Sequence, residues 1–146
     1  MRIHPWYTAF SAFFVVLLIL GLSWLARTDR LIAWVPPFDL FLMALAVFRL
    51  VRLTTYDVIT QFVRDWFVGA DPRTLPGTLG ALITCPWCTG LWYAFIVAFA
   101  YFATPYAWFV IFVLALAALG SFFQVLANLI GWHAEGKKHE VLGRPG

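Results

Sequence analysis

Charge is scarce in this sequence. Asp, Glu, Lys and Arg make up 12% of the 146 residues and hydrophobic residues 63%, with a mean hydropathy of +0.86. Soluble globular domains carry about 25% charged residues, so the composition excludes an ordinary soluble domain and makes the lipid bilayer the expected solvent. The parts of a soluble active site are missing too. No nucleophile is set beside a base, no glycine-rich loop is spaced to cradle a phosphate, and the seven acidic residues form no paired acid and base. The ten Lys and Arg exceed them by three but cluster between apolar runs rather than on one face, so nucleic acid is not an expected partner. The length fits a single domain.

What the chain does contain is four apolar runs. The first, Thr8 to Ala26, follows Arg2 as the core of a signal peptide would. It is as long as a span requires, however, and bulky Trp24 stands where cleavage favours a small residue, so an uncleaved helix is expected. The second opens at Pro36-Pro37, has Asp39 just inside, and is interrupted by Arg49 and Arg52 before Leu53. Proline is tolerated in a first helical turn and arginine near a helix end can snorkel, so residues 37–53 are just long enough to cross. The third and fourth runs, Trp87 to Ala103 and Ala107 to Ile130, are joined only by Thr104-Pro105-Tyr106 and read as an antiparallel hairpin. The expected fold class is therefore all-α and integral to the membrane. It has four transmembrane helices at about 8–26, 37–53, 87–103 and 107–130, and a C-terminal tail at 131–146.

The positive charges orient these spans. With a cytoplasmic N-terminus, Arg2, Arg49, Arg52, Arg64, Arg73, Lys137, Lys138 and Arg144 fall inside and only Arg27 and Arg30 outside. A multi-pass plasma-membrane protein with both termini in the cytoplasm follows, provided that the second run crosses. After it, Val58, Ile59, Phe62, Val63, Trp66 and Phe67 recur at helical spacing opposite Thr60, Gln61, Arg64 and Asp65. This predicts an amphipathic interfacial helix at about 55–68. Residues 69–80, with Asp71-Pro72 and Pro76-Gly77, read as a loop.

Both cysteines lie in Cys85-Pro86-Trp87-Cys88, at the entry to the third span. As a redox pair, they would draw on a helix N-terminus to favour a thiolate and on Pro86 to fix the first turn, but a thioredoxin-type motif needs a βαβ domain that this chain does not offer. As a metal site, they supply half of a zinc shell. His133 and His139 stand on the same predicted side to complete it, or a second copy's pair would serve. As plain packing groups, they fill a helix start. Zinc is thus the one cofactor with candidate ligands.

Arg49 and Arg52 are at helical spacing with Asp57 in reach, which suggests an ion pair at the membrane boundary against a background of simple snorkelling. In the fourth span Ala117, Ser121, Gln124 and Asn128 form one stripe, matched by Ala94 and Ala98 on the third, and this is expected to pack against other helices. Together the Cys pair, Arg49, Arg52, Asp57, Gln124 and Asn128 are expected at one depth, the cytoplasmic mouth of the bundle.

From about Phe48 to Trp92 the chain resembles a family of small uncharacterised bacterial and phage membrane proteins, the domain-of-unknown-function family 1360. The matching residues are Phe48-Arg49-Leu50, Arg52-Leu53, Asp57, Ile59-Thr60, Arg64 and Thr84-Cys85-Pro86-Trp87-Cys88 with Gly90 and Trp92. The resemblance implies a fold and signature residues rather than a reaction, and it implies that Arg49, Arg52, Asp57 and Arg64 meet the Cys pair in space. The expected function is a non-enzymatic scaffold that binds its own copy or another membrane protein through this face. The alternatives are a thiol redox or zinc-binding membrane protein and a phage lysis or pore accessory.

Overall fold

A computed structural model describes residues 5–67, 69–71 and 73–142, with side chains described as far as His133. Every regular element among them is helical: α1 (Pro5–Arg27), α2 (Pro37–Thr55), a 3-10 turn (Val58–Thr60), α3 (Gln61–Asp65), α4 (Leu75–Thr84), α5 (Pro86–Ala103) and α6 (Ala107–Leu142). Among the described residues, three helices are long and apolar enough to cross a membrane: α1, α5 and the Ala107–His133 part of α6. α2 has 19 residues, about 28 Å at 1.5 Å per residue. It differs from the three in carrying Asp39, Arg49 and Arg52.

α2 lies at the centre. Leu42, Met43 and Ala46 form one buried cluster with Val97 of α5 and with Ala107, Ile111 and Ala115 of α6. Ala46, Ala115 and Ala118 are fully buried, because small side chains let helix backbones approach closely. Helix direction can be read from the contacts. Phe14 meets Trp92 edge-on at 4.9 Å and Trp24 lies 5.6 Å from Phe99, so α1 and α5 run parallel. Asp39, at the start of α2, accepts hydrogen bonds from Tyr101 Oη (2.6 Å) and Trp108 Nε1 (3.3 Å), whereas Thr55 Oγ1, at its end, donates to the Ile83 carbonyl (3.4 Å). α2 therefore runs antiparallel to α5, and α1, α2, α5 and α6 alternate in direction.

Three elements differ from expectation. The interfacial helix over 55–68 is replaced by the tail of α2, the 3-10 turn and the five-residue α3. The periodic apolar residues are there, but the Tyr56 and Asp57 N–H groups both bond back to the Arg52 carbonyl and close α2 first. Residues 75–80, within the stretch read as loop, belong instead to α4: Thr74 caps the helix by accepting from Gly77 N–H (3.4 Å), and Pro76 sits in the first turn, where no helical N–H is lost. The tail from 131 has no separate beginning, since α6 continues to Leu142.

The stripe on α6 also differs. Ala107, Ile111, Ala115 and Ala118 face the bundle, whereas Ala117, Gln124 and Asn128 are exposed and Ser121 half-buried. On α5, Ala94 is exposed and Ala98 half-buried. α6 is apolar on all sides, so periodicity cannot choose its buried face. The three-residue link to α5 and the Trp108–Asp39 bond choose it instead.

α4 crosses close to the chain before it. A methyl group on Gly80 would stand 3.0 Å from Phe67 Cβ and 3.1 Å from its carbonyl oxygen, whereas one on Gly120 would meet nothing within 4 Å. Gly80→Val is expected to destabilise the protein by about 1–3 kcal/mol through overpacking, and Gly120→Ala to be neutral or stabilising by up to about 1 kcal/mol from helix propensity. Thermal unfolding in detergent micelles checks both, and equal shifts for the two variants would contradict the packing of α4 on Phe67.

Candidate functional site

The end of the bundle where α2 stops and α5 starts gathers most of the predicted polar residues. Arg49 sits two turns before the end of α2, and Asp57 follows the break that ends it. The turn at Tyr56 brings the carboxylate back so that Arg49 and Asp57 pair at 2.9 Å, both about three-quarters covered. Part-buried charges tolerate this position only when paired, since an isolated one would shed its hydration without return. Arg64, on α3, completes the turn. Its guanidinium donates to the Thr54 carbonyl (2.8 Å), Thr60 Oγ1 (2.9 Å) and the Asp57 carbonyl (2.9 Å), and Thr60 in turn donates to the Leu53 carbonyl. Of these oxygens, the Leu53 and Thr54 carbonyls belong to the last turn of α2, where carbonyls have no helical partner. A cation there also complements the helix dipole.

Arg52 behaves differently. Its guanidinium lies 6.0 Å from the Phe48 ring and 5.8 Å from the Tyr56 ring, and its Nε has no hydrogen-bond partner among the described residues. Aromatic faces rather than a carboxylate hold this cation.

The cysteine motif is the joint between two helices. α4 ends at Thr84, Cys85 is extended (φ −93°, ψ 105°), and α5 begins at Pro86. Cys85 thus closes one helix and opens the next, and its Sγ accepts from Cys88 N–H at 3.3 Å. Pro86 fits the first helical position because the N–H it lacks would have had no partner there. Thr89 Oγ1 donates to the Cys85 (3.0 Å) and Pro86 (3.3 Å) carbonyls and pins the turn from behind. The Cys85 thiol is pulled below the usual cysteine range. The Cys88 thiol bonded to it is the main cause, the Cys88 and Trp87 N–H groups add to it, and partial burial opposes it. Both thiols are free.

The structure joins the predicted residues unevenly. Arg49, Asp57 and Arg64 form one network, Arg52 stands beside it, and Cys85 is at the same end of the bundle, within reach of α2 through the Thr55–Ile83 bond. Gln124 and Asn128 are not part of it. They bond to each other (Nε2 to Oδ1, 3.2 Å) on an exposed side of α6. His133 is exposed near the end of α6, and the side chain of His139 lies outside the described residues. Among the described residues, no three of His, Cys, Asp and Glu come together to hold a metal. Beside the network is a cleft of about 170 Å³, lined by Arg64, Phe67, Gly77, Gly80 and Thr84, below the roughly 300 Å³ at which small-molecule sites begin.

Sequence reasoning missed the opposite end. The Asp39 carboxylate joins α2 to α5 and α6 through Tyr101 and Trp108, and Arg30 donates to the Ala103 carbonyl near the same end. The available signal was an acidic residue inside an apolar run, together with a Tyr and a Trp at helix ends, whose polar tips seek a partner when the ring is covered.

Comparison with known proteins gives a family but no activity. Residues 69–127 match the family described as "Protein of unknown function (DUF1360)", which takes in the Cys motif and most of the α5–α6 hairpin. The chain is 32% identical over 88 residues to UPF0713 protein YngL of Bacillus subtilis, covering 52% of this chain and 68% of that one. It is likewise 32% identical over 105 residues to sporulation protein YjcA of the same organism, covering 60% and 88%. No solved structure matches.

The ion pair gives a direct test. In a double-mutant cycle with Arg49→Gln and Asp57→Asn, thermal unfolding is expected to yield a coupling of about 1.5–3 kcal/mol, the range for hydrogen bonds to charged groups. Additive effects of the two substitutions would show that the pair contributes nothing.

Proposed function

The chain belongs to the DUF1360 family of unknown function, and we propose that it is a four-span protein of the bacterial plasma membrane that acts as a scaffold. Both termini and the Arg49–Pro86 segment face the cytoplasm. The observation that carries this reading is the Arg49–Asp57 pair braced by Arg64. It spends the charges of this end on shaping the chain after α2, and the product of that shaping is an outward display of Tyr56, Val58, Ile59, Phe62 and Trp66, between 60% and 80% exposed. Aromatic and branched apolar groups beside arginines suit the headgroup layer and the membrane-proximal surface of a partner protein.

Three further facts support four spans. α2 runs opposite to α1 and α5, the long helices before and after it in the chain, its length approaches the roughly 30 Å hydrocarbon thickness, and its three charges sit in its first turn or its last two turns with partners or aromatic faces supplied by the protein. The relative named for sporulation makes a membrane assembly in a spore-forming programme one setting in which such a scaffold would serve.

Thiol labelling tests the arrangement. A membrane-impermeant maleimide applied to intact cells is expected to leave Cys85 and Cys88 unmodified, and to reach them once the cytoplasmic side is opened. Tyr106→Cys in a chain with both native cysteines replaced by serine should show the reverse. Modification of Cys85 or Cys88 from outside would overturn the orientation and, with it, the cytoplasmic scaffold.

A further inference from the structure

The scaffold does not use the thiols, and their geometry is that of a pair with divided roles. Cys85 stands in the only gap between α4 and α5, outside both helices, with its sulfur receiving the Cys88 N–H at the open start of α5. Helix-start N–H groups point at that sulfur and favour negative charge on it. Cys88 is one turn further on. It forms part of the wall of an apolar groove of about 330 Å³ between α1 and α5, beside Tyr7, Phe14, Leu82 and Trp92. The two cysteines are three positions apart across a helix start, with Pro86 and Thr89 holding the turn. A disulfide between them would close a small ring around that turn, and the two sulfurs differ in surroundings.

We propose that Cys85 and Cys88 form a reversible dithiol that reduces a disulfide-bonded protein partner, with Cys85 as the attacking sulfur and Cys88 as the resolving one. In the first step the Cys85 thiolate attacks one sulfur of the partner's disulfide. A Cys85–partner bond forms, the partner's S–S bond breaks, and the partner's other sulfur leaves as a thiolate. That thiolate takes up a proton, replacing the one Cys85 lost on ionising. In the second step Cys88 gives up its proton and attacks Cys85 Sγ, forming the Cys85–Cys88 disulfide and releasing the partner's remaining sulfur, which is protonated in turn. Two electrons pass from the pair to the partner: the pair exchanges two thiols for one disulfide, and the partner exchanges one disulfide for two thiols.

The lowered Cys85 pKa agrees with its attacking role. The inference stands apart from the scaffold, since the chemistry depends on the α4–α5 joint and not on the Arg49–Asp57 network.

The test uses the full chain in detergent micelles with oxidised glutathione as the disulfide probe. Cys88→Ser, which keeps the attacking sulfur, should acquire one glutathione, read by intact mass, at least about tenfold faster than Cys85→Ser, in keeping with thiolate-controlled reactivity. The unsubstituted protein should retain no glutathione and end two mass units lighter, with the loss reversed by dithiothreitol. Equal rates for the two variants, or faster reaction of Cys85→Ser, would overturn the division of roles. An unsubstituted protein that carries glutathione on both cysteines would overturn the dithiol itself. A circular dichroism spectrum matching that of the unsubstituted chain qualifies each serine variant as folded. If neither serine variant meets that standard, the mass change and alkylation ratio of the unsubstituted chain, read by peptide mapping, decide the question alone.

Discussion

Asp39 and Arg49 lie on the same helix, one in its first turn and the other two turns before its end, and the rest of the architecture depends on both being partnered within the protein. α2 is the central helix, in contact with α5 and α6 through Leu42, Met43 and Ala46, yet it is the one long helix with charges inside its apolar run. In hydrocarbon an unpartnered carboxylate or guanidinium costs several kcal/mol. Asp39 is met by the hydroxyl of Tyr101 and the indole N–H of Trp108, and Arg49 by the carboxylate of Asp57. Each contact also fixes geometry: the first holds the α5–α6 hairpin against the start of α2, and the second folds the chain back at its end. Apolar packing between the two has little directional preference of its own in lipid, where tails are as apolar as leucine, so these polar contacts set which faces meet.

That division explains which features could be read from the residues. The apolar runs of α1, α5 and α6 were legible because length and hydropathy alone define a span. The proximity of Arg49 and Asp57 was legible from helical spacing plus a short break. The buried face of α6 was not, because a helix apolar on every side has no preferred azimuth in its sequence; the amides Gln124 and Asn128 pointed to the wrong face and bond to each other instead. α4 was hidden by Pro76-Gly77, which reads as a turn in isolation but here follows a capping Thr74, so that both residues fall within the first turn of a helix. The role of Cys85 as the joint between two helices became visible only with α4 in place.

Family membership narrows the biology without supplying a reaction. The matched segment, residues 69–127, contains the helical joint at Cys85 and the hairpin that receives Asp39, so the family's common ground is the part of the chain against which α2 is packed. Outside that packed region the described residues expose the aromatic turn after α2 and the part of α6 beyond Ala118, where Phe122, Phe123, Val125 and Ile130 are over half exposed.

The claim on which all of this rests is that α2 lies along α6 with Ala46 toward it. Because Trp108 reaches Asp39 and the two helices run parallel, seven residues further along each brings Ala46 beside Ala115. Oxidative cross-linking of Ala46→Cys/Ala115→Cys in native membranes, in a chain with both native cysteines replaced by serine, measures this directly. The account predicts an intramolecular disulfide for that pair and none for Ala44→Cys/Ala117→Cys, whose positions are exposed. Cross-linking of the second pair but not the first would contradict the placement of α2 and the polar contacts that hold it.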